Sequence, residues 1–230
     1  DADSSQIEAR VLAWLSEQND LVDQFANGED VYVKMASSIY AVPEDQVTKD
    51  QRFVGKTTIL GAGYGMGYLK FVAQLKTFGY EVPEAEAKRI ISVYRETYPY
   101  IGDLWQAANR CIKEMHNDSL FRFGRSGVLD VNVPSRSIVL PSQLEMSYTD
   151  LDATTEGGRT EYHYKTRQGR TRIYGGKVVE NVCQAIARCI IGYQMLQIAN
   201  KYRVVLTVHD SIVCCLPDQL TGDEQESIES

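Results

Sequence analysis

Three residues spaced four apart are suited to holding a phosphorylated ligand. If residues 48–60 form a helix, Arg52, Lys56 and Leu60 fall along one face of it, and Tyr64 lies one step beyond its end. Two cations suit the phosphates of a nucleoside triphosphate, while an apolar residue and an aromatic ring suit its sugar and base. A solvated basic face is the alternative, and the spacing alone does not separate the two.

Two aspartates lie near opposite ends of the sequence. Asp3 stands before an apolar helical segment that begins at Ile7, and Asp210 stands between the β-branched runs Val204–Val208 and Ile212–Leu216. The second arrangement predicts a β-hairpin that presents Asp210 at its tip. Each aspartate taken alone fits a helix cap or a surface charge, so the context has to decide.

Two glycine-rich segments resemble phosphate-binding loops but fail on position. Gly55–Thr57 matches the tail of G-x-x-x-x-G-K-[ST], yet Asp50 stands at the leading glycine and the segment is predicted to lie inside a helix. The run Gly61–Gly67 has Met66 where the dinucleotide fingerprint needs glycine, and no strand precedes it. Neither a P-loop nor a dinucleotide site is expected.

The composition narrows the class of protein. The 230 residues are 43% hydrophobic, enough to bury a sizeable core in one large domain or two small ones. The sequence has no apolar run of about 18 residues and no signal peptide, which predicts a soluble, intracellular chain without a membrane span. Five cysteines without a C-x-x-C pair and three histidines argue against a zinc site. The net charge of −7 argues against non-specific coating of nucleic acid but allows a local basic groove.

The elements that must position these residues are mainly helical in the first half of the chain. Helices are predicted at Asp20–Ala26, Asp30–Tyr40, Thr48–Leu60, Tyr68–Phe78, Pro83–Arg95 and Ile101–His116, with Asp20, Asp30 and Thr48 as caps. Between residues 121 and 174, alternating segments such as Val128–Val133 and Ser137–Leu140 predict β-ribbons. A further helix is predicted over residues 178–200. The fold class expected is α+β.

Three segments resemble the motifs of family A DNA polymerases, in the family's order. Residues 3–10, D-S-S-Q-I-E-A-R, resemble motif A, usually D-Y-S-Q-I-E-x-R. Residues 52–65 resemble motif B, R-x-x-x-K-x-x-x-F/Y/L-x-x-x-Y-G, and residues 208–210 resemble motif C, usually V-H-D-E. The segments 173–181 and 184–188 look most like phage-encoded members of this family.

The resemblance implies a right-hand polymerase fold, with a palm of antiparallel sheet and helices and a mainly helical fingers subdomain. It assigns residues 1–15 to the palm, 16–125 to the fingers with the motif B helix at about 48–61, and 126–230 to the palm again, with helix 178–200 and hairpin 204–216. A thumb and any 3′ to 5′ exonuclease domain would precede Asp1, so the chain is expected to be a fragment.

The resemblance also implies the chemistry. Asp3, Asp210 and the backbone carbonyl of Ser4 would hold two Mg²⁺ ions, for which Mn²⁺ can substitute, and two-metal transfer needs carboxylates that converge from separate segments. Arg52 and Lys56 would clamp the triphosphate, with Lys56 placed to stabilise the leaving group. The reaction implied is template-directed addition of deoxynucleoside triphosphates to a primer 3′-hydroxyl, in the cytoplasm or, for a phage protein, the host cytoplasm.

Further substrate contacts follow from the same motifs. Leu60 would pack against the base or sugar, and Tyr64 would border the pocket for the nascent base pair. Glu8 would block a ribose 2′-hydroxyl, and Gln6 is assigned to the same substrate pocket. The resemblance therefore implies selection for deoxyribose.

The remaining assignments concern DNA and departures from the motifs. His209 and Gln184 would contact the primer-template DNA. Ser4 replaces the usual Tyr of motif A, which removes an aromatic ring beside the nucleotide, and Ser211 replaces the usual Glu of motif C, which removes a third carboxylate near the metals. Leu60 replaces Phe or Tyr of many relatives, which predicts poor acceptance of dideoxynucleotides.

Two other functions compete with DNA synthesis. In the first alternative, the chain is a binding or assembly piece that is complemented by a second chain carrying the thumb. Retention of Asp3 and Asp210 argues against a purely structural role. A single-subunit RNA polymerase would share the palm and the carboxylate pair. Glu8 after Gln6-Ile7, and Tyr64-Gly65, favour the DNA enzyme.

Overall fold

The computed structural model describes residues 2–215, so Asp1, the predicted strand end at Leu216 and the acidic segment 218–230 lie outside the described residues. Eight α-helices are present in the described part: α1 Ile7–Leu15, α2 Asn19–Ala26, α3 Val31–Tyr40, α4 Lys49–Ala62, α5 Tyr68–Thr77, α6 Glu84–Thr97, α7 Pro99–His116 and α8 Gly175–Ala199. The helices predicted in the first half are thus confirmed, with shifts of a few residues at their ends.

The strands form three small antiparallel sheets. They are β1 Ala2–Asp3, β2 Arg122–Phe123, β3 Leu129–Asn132, β4 Ser137–Val139, β5 Glu145–Ser147, β6 Asp152–Glu156, β7 Arg159–Thr166, β8 Gly169–Ile173, β9 Arg203–Val208 and β10 Ser211–Cys215. The strand orders are β1-β10-β9, β2-β3-β4-β5 and β6-β7-β8. This mixture of helices and antiparallel sheet confirms the α+β class, the β-ribbons and the hairpin after α8.

The cap of α4 fixes the phase of the helix that carries Arg52 and Lys56. The Gln51 N–H donates to Thr48 Oγ1 at 3.2 Å, and the Thr48 N–H donates to Gln51 Oε1 at 2.9 Å. This reciprocal capping box satisfies two backbone donors at the helix start. Thr48 is therefore the cap, as predicted.

The cap predicted for α2 is wrong. Gln18 occupies the N-cap position without a side-chain cap bond, and Asp20 lies inside the first turn. The Gln18 side chain donates to Asp20 Oδ1 at 2.6 Å, so this carboxylate is already engaged. Asp20 still favours the helix, because a negative charge in the first turn complements the helix dipole.

Gly55 lets α4 approach α3 closely. A Cβ built on Gly55 would collide with the Tyr32 carbonyl oxygen and would lie 3.0 Å from the Ala36 nitrogen. Because Gly55 lies in the middle of α4, the Gly55-Lys56-Thr57 sequence serves helix packing and is not a phosphate loop. The rejection of a P-loop is confirmed by this position.

Helix α8 begins at Gly175, three residues earlier than Val178, where the sequence predicted its start. The Gly175 N–H donates to Asn109 Oδ1 at 2.6 Å, and a Cβ on Gly175 would collide with the Trp105 carbonyl oxygen. Gly175 thus allows α8 to start against α7. Sequence propensity misses this, because glycine disfavours helix interiors.

One helix in the described range, α8, is long and apolar enough to cross a membrane by length and composition alone. The same property is found in core helices of soluble proteins. Several of its residues, among them Val178, Val182 and Cys183, are fully buried in one core with α1 and α7.

Candidate active site

An open cleft of about 640 Å³ lies where β1, the β9–β10 turn, α4 and α8 meet. Eight of the residues that the sequence assigned to a site line it: Asp3, Gln6, Glu8, Lys56, Leu60, Gln184, His209 and Asp210. The first and the last of them, Asp3 and Asp210, are about 200 residues apart in the sequence, and the fold brings them together.

The two aspartates are held by one sheet. Asp3 pairs with Ser211 in the β1–β10 ladder, and the Ser211 hydroxyl donates to Asp3 Oδ1 at 3.0 Å. The Ser4 N–H donates to the Asp210 carbonyl oxygen at 3.2 Å. Asp3 on β1 and Asp210 in the turn that precedes β10 are therefore held side by side, at the same wall of the cleft.

A two-residue turn presents Asp210. Val208 and Ser211 are paired, so His209 and Asp210 alone connect β9 to β10. His209 has a φ of 54°, the positive value that tight hairpin turns require. Both side chains of the turn line the cleft.

The donor set at this wall fits Mg²⁺. Within residues 2–215, no group of three or more His, Cys, Asp or Glu side chains is placed to hold a metal ion. Mg²⁺ needs no such group, because it keeps several waters and binds through one or two carboxylates together with substrate phosphates. Two aspartates on an open cleft satisfy that requirement.

The basic wall of the cleft comes from α4 and α3. Lys56 and Leu60 line the cleft, and the Lys56 Nζ lies 5.9 Å from the ring centroid of Tyr32, which also lines it. Arg52 does not line the cleft, and its guanidinium lies over the same ring, 5.3 Å from the centroid. Of the three residues predicted to share one face of α4, Lys56 and Leu60 thus line the cleft and Arg52 does not.

Glu8 lies at the floor of the cleft beside α8. Partial burial, followed by the nearby charges of Glu180 and Asp210, raises the pKa of Glu8 above its ordinary value, and a hydrogen bond with Gln184 opposes the shift. Tyr64 does not line the cleft but lies near Cys183 and Glu8, and burial raises the pKa of its phenol. Glu8 and Tyr64, which the sequence assigned to the same substrate site, are therefore close to each other.

The model of the family described as DNA polymerase family A matches residues 1–230. The chain belongs to DNA polymerase family A. This confirms the family to which the three motifs pointed.

Members of family A from phage and bacteria are similar to this chain. It is 30% identical over 231 residues to the DNA polymerase of Bacillus phage SP02, covering 94% of this chain and 35% of that protein. It is 33% identical over 218 residues to DNA polymerase I of Caldicellulosiruptor bescii, covering 94% of this chain and 22% of that protein. The chain thus spans about a third or less of the length of these relatives.

A solved polymerase structure shares the fold. It is described as the POL domain of Pol1 from M. smegmatis in complex with DNA primer-template and dNTP. The superposition has a TM-score of 0.62 and 23% identity, and it covers 99% of this chain and 34% of that one. The polymerase fold predicted for the whole chain is confirmed at this level.

The two serines that depart from the family A motifs both make hydrogen bonds. Ser211, in place of the usual Glu, donates to Asp3. The Ser4 hydroxyl, in place of the usual Tyr, donates to Gln194 Oε1 of α8 at 2.9 Å, and its side chain does not line the cleft. The hydroxyl groups of these two serines therefore link β1 and the residue after it to β10 and to α8.

A cationic residue and an aromatic residue of this cleft, Arg188 and Tyr32, were not among the site residues assigned from the sequence. Arg188 lines the cleft and stands four residues after Gln184, so helical spacing on α8 would have found it. Tyr32 lies two residues after the cap Asp30, and no local pattern marks it. Its place in the wall depends on the close approach of α3 and α4 at Gly55.

Proposed function

We propose that the protein to which this chain belongs extends a DNA primer on a DNA template, adding deoxynucleoside triphosphates to the primer 3′-hydroxyl. One observation carries the proposal: Asp3, Asp210 and Lys56, from three separate elements, line a single open cleft. Two carboxylates that can hold metal ions and a cation in the same cleft are what transfer of a phosphoryl group requires. Membership of DNA polymerase family A supports it.

Each residue has a role in this proposal. Asp3, Asp210 and the Ser4 carbonyl would hold two Mg²⁺ ions, or Mn²⁺ in their place. Lys56 and Arg52 would bind the triphosphate. When bound, the metal ions would lower the pKa of the primer 3′-hydroxyl and neutralise negative charge on the leaving pyrophosphate.

The remaining cleft residues would select the substrate. Leu60 would contact the sugar or base and Tyr64 would border the base pair near Glu8. Glu8 together with Gln6 would exclude a ribose 2′-hydroxyl. The raised pKa of Glu8 supports a position in a partly desolvated, acidic part of the cleft.

The partners proposed are primer-template DNA and a deoxynucleoside triphosphate. His209 and Gln184 would contact the DNA, since both are exposed at the cleft. The structural relative was solved with a DNA primer-template and dNTP, and the fold likeness supports the same class of ligand here. The same proposal includes a thumb outside this chain and palm and fingers boundaries at residues 15 and 125. It also includes a location in the cytoplasm, or in the host cytoplasm for a phage protein.

Primer extension by the full-length protein tests the function. We expect Mg²⁺-dependent extension with deoxynucleotides, little with ribonucleotides, and none in Asp210→Asn. Asp23→Asn is the matched control, since Asp23 is an exposed carboxylate on α2 away from the cleft. Extension confined to ribonucleotides would favour an RNA polymerase, and no extension by folded protein would favour an assembly role.

A further inference from the structure

Asp30 binds two partners with its two carboxylate oxygens. Oδ1 accepts hydrogen bonds from the backbone N–H groups of Tyr32 at 3.0 Å and Val33 at 3.1 Å, which caps α3. Oδ2 accepts a hydrogen bond from Nε of Arg52 at 2.7 Å. The carboxylate is thus fixed to α3 by one oxygen and holds Arg52 by the other.

Arg52 is held through one nitrogen only. Among residues 2–215 its side chain makes the single hydrogen bond from Nε, and its guanidinium also lies over the Tyr32 ring. A guanidinium has five N–H donors, four of them on the terminal nitrogens Nη1 and Nη2. Those four remain available as the planar pair that binds phosphate oxygens.

The contact does little for stability. The side chains of Arg52 and Asp30 are 44% and 40% exposed, and exposed ion pairs contribute little to folding. Burial pushes the pKa of Asp30 upward, but hydrogen bonds from Arg52 and the Val33 N–H outweigh it, so the pKa lies below its ordinary value. Asp30 is therefore charged at neutral pH, and its main effect is on the orientation of Arg52.

This orientation matters because of where Tyr32 lies. Tyr32 lines the cleft, and both cations lie over its ring, Arg52 Cζ at 5.3 Å and Lys56 Nζ at 5.9 Å from the centroid. Asp30, anchored two residues earlier on the same helix, keeps Arg52 against the ring. Without this anchor, a long and flexible arginine side chain would have to be ordered each time a phosphate binds.

We infer that Asp30 is a positioning residue for the incoming nucleotide, which orients Arg52 through Nε so that Nη1 and Nη2 receive the triphosphate. The inference deepens the proposed function and rests on it. Sequence analysis identified Asp30 only as a helix cap.

The substitution Asp30→Asn separates the two tasks of this residue. Asparagine caps helices as well as aspartate, so α3 keeps its start, while the charge that holds Arg52 is lost. Ordering one long side chain on binding weakens affinity about 3- to 10-fold. We expect the KM for deoxynucleotide of the full-length protein to rise by that factor, with kcat within about twofold.

Two controls make the measurement specific. Glu44→Gln removes an equal charge next to the same helix, where Glu44 pairs with Lys34 at 3.3 Å, and it leaves KM unchanged. In an Arg52→Ala background, Asp30→Asn has no further effect, since the residue acts through Arg52. An unchanged KM in Asp30→Asn, or an equal increase in both backgrounds, overturns the inference.

Binding of inorganic tripolyphosphate, measured by calorimetry, tests the inference without turnover. Wild type should bind about 3- to 10-fold more tightly than Asp30→Asn. Equal affinities, or no binding by wild type, overturn the role of Asp30. Absence of primer extension by a wild type that still binds tripolyphosphate with this difference would overturn the proposed function and leave the positioning role intact.

Discussion

Replacing Gly55 by alanine is expected to destabilise the protein and to weaken nucleotide binding together. The added Cβ would collide with the Tyr32 carbonyl oxygen and lie 3.0 and 3.2 Å from Ala36 N and Cβ. These are backbone or near-backbone atoms, which cannot rotate away as the end of a side chain can. Helices α3 and α4 must therefore move apart.

The magnitude follows from two opposing effects. Overpacking in a tight contact costs about 3 kcal/mol. Alanine in place of glycine favours the helix by about 1 kcal/mol, which leaves a destabilisation of about 2 kcal/mol. Because Lys56 is adjacent to Gly55 and Tyr32 carries the clash, the cleft wall moves as well, and the KM for nucleotide should rise.

Gly102→Ala is the matched comparison. Gly102 lies inside α7, and no atom is within 4 Å of a Cβ built on it. This substitution gains the helix preference without the clash and should stabilise by about 0.5 to 1 kcal/mol. Thermal unfolding of the full-length protein, followed by circular dichroism, should give the highest Tm for Gly102→Ala, an intermediate Tm for the wild type and the lowest Tm for Gly55→Ala. A Gly55→Ala protein at least as stable as wild type would refute the packing argument.

Three further outcomes are expected. The pKa of Glu8 is raised by burial and by Glu180 and Asp210, so its contribution to stability is full below the unfolded pKa of about 4.3 and is lost as the pH rises through the folded value. The Tm of Glu8→Gln relative to that of the wild type should therefore increase as the pH rises from about 4 to 7. A difference in Tm that does not change with pH would contradict this. Ser211→Ala removes the hydrogen bond to Asp3, so the Mg²⁺ concentration for half-maximal extension should rise about 2- to 10-fold, whereas an unchanged value would show that the bond does not orient Asp3. Leu60, which offers neither ring nor phenol to a nucleotide without a 3′-hydroxyl, should make dideoxynucleotides poor terminators in a primer-extension ladder, and efficient termination would exclude that role.

Spacing and caps predicted the parts of the structure that are set locally. The Thr48 cap and the four-residue spacing placed Lys56 and Leu60 correctly, because helix geometry turns sequence separation into direction. The β-branched runs around His209-Asp210 predicted the hairpin for the same local reason. The motifs then indicated which distant aspartates belong together.

Contacts between helices could not be predicted in this way. The guanidinium of Arg52 lies over the Tyr32 ring and does not line the cleft, because the approach of α3 to α4 decides which side chains of α4 reach it. The early start of α8 has a similar cause, since Gly175 fits against the Trp105 carbonyl. In both cases a glycine acts through the space it leaves, which no periodic pattern of side chains records.

The two-residue turn at His209 and Asp210 limits how this segment can change over evolution. Side chains alternate between the faces of a strand, so inserting one residue between Val208 and Ser211 would reverse the faces of every residue in one strand or open the turn. The same insertion would disturb the pairing of Ser211 with Asp3. Homologous sequences should therefore show substitutions within this hairpin but a constant length, and an alignment gap there would mark a protein that has lost its active site.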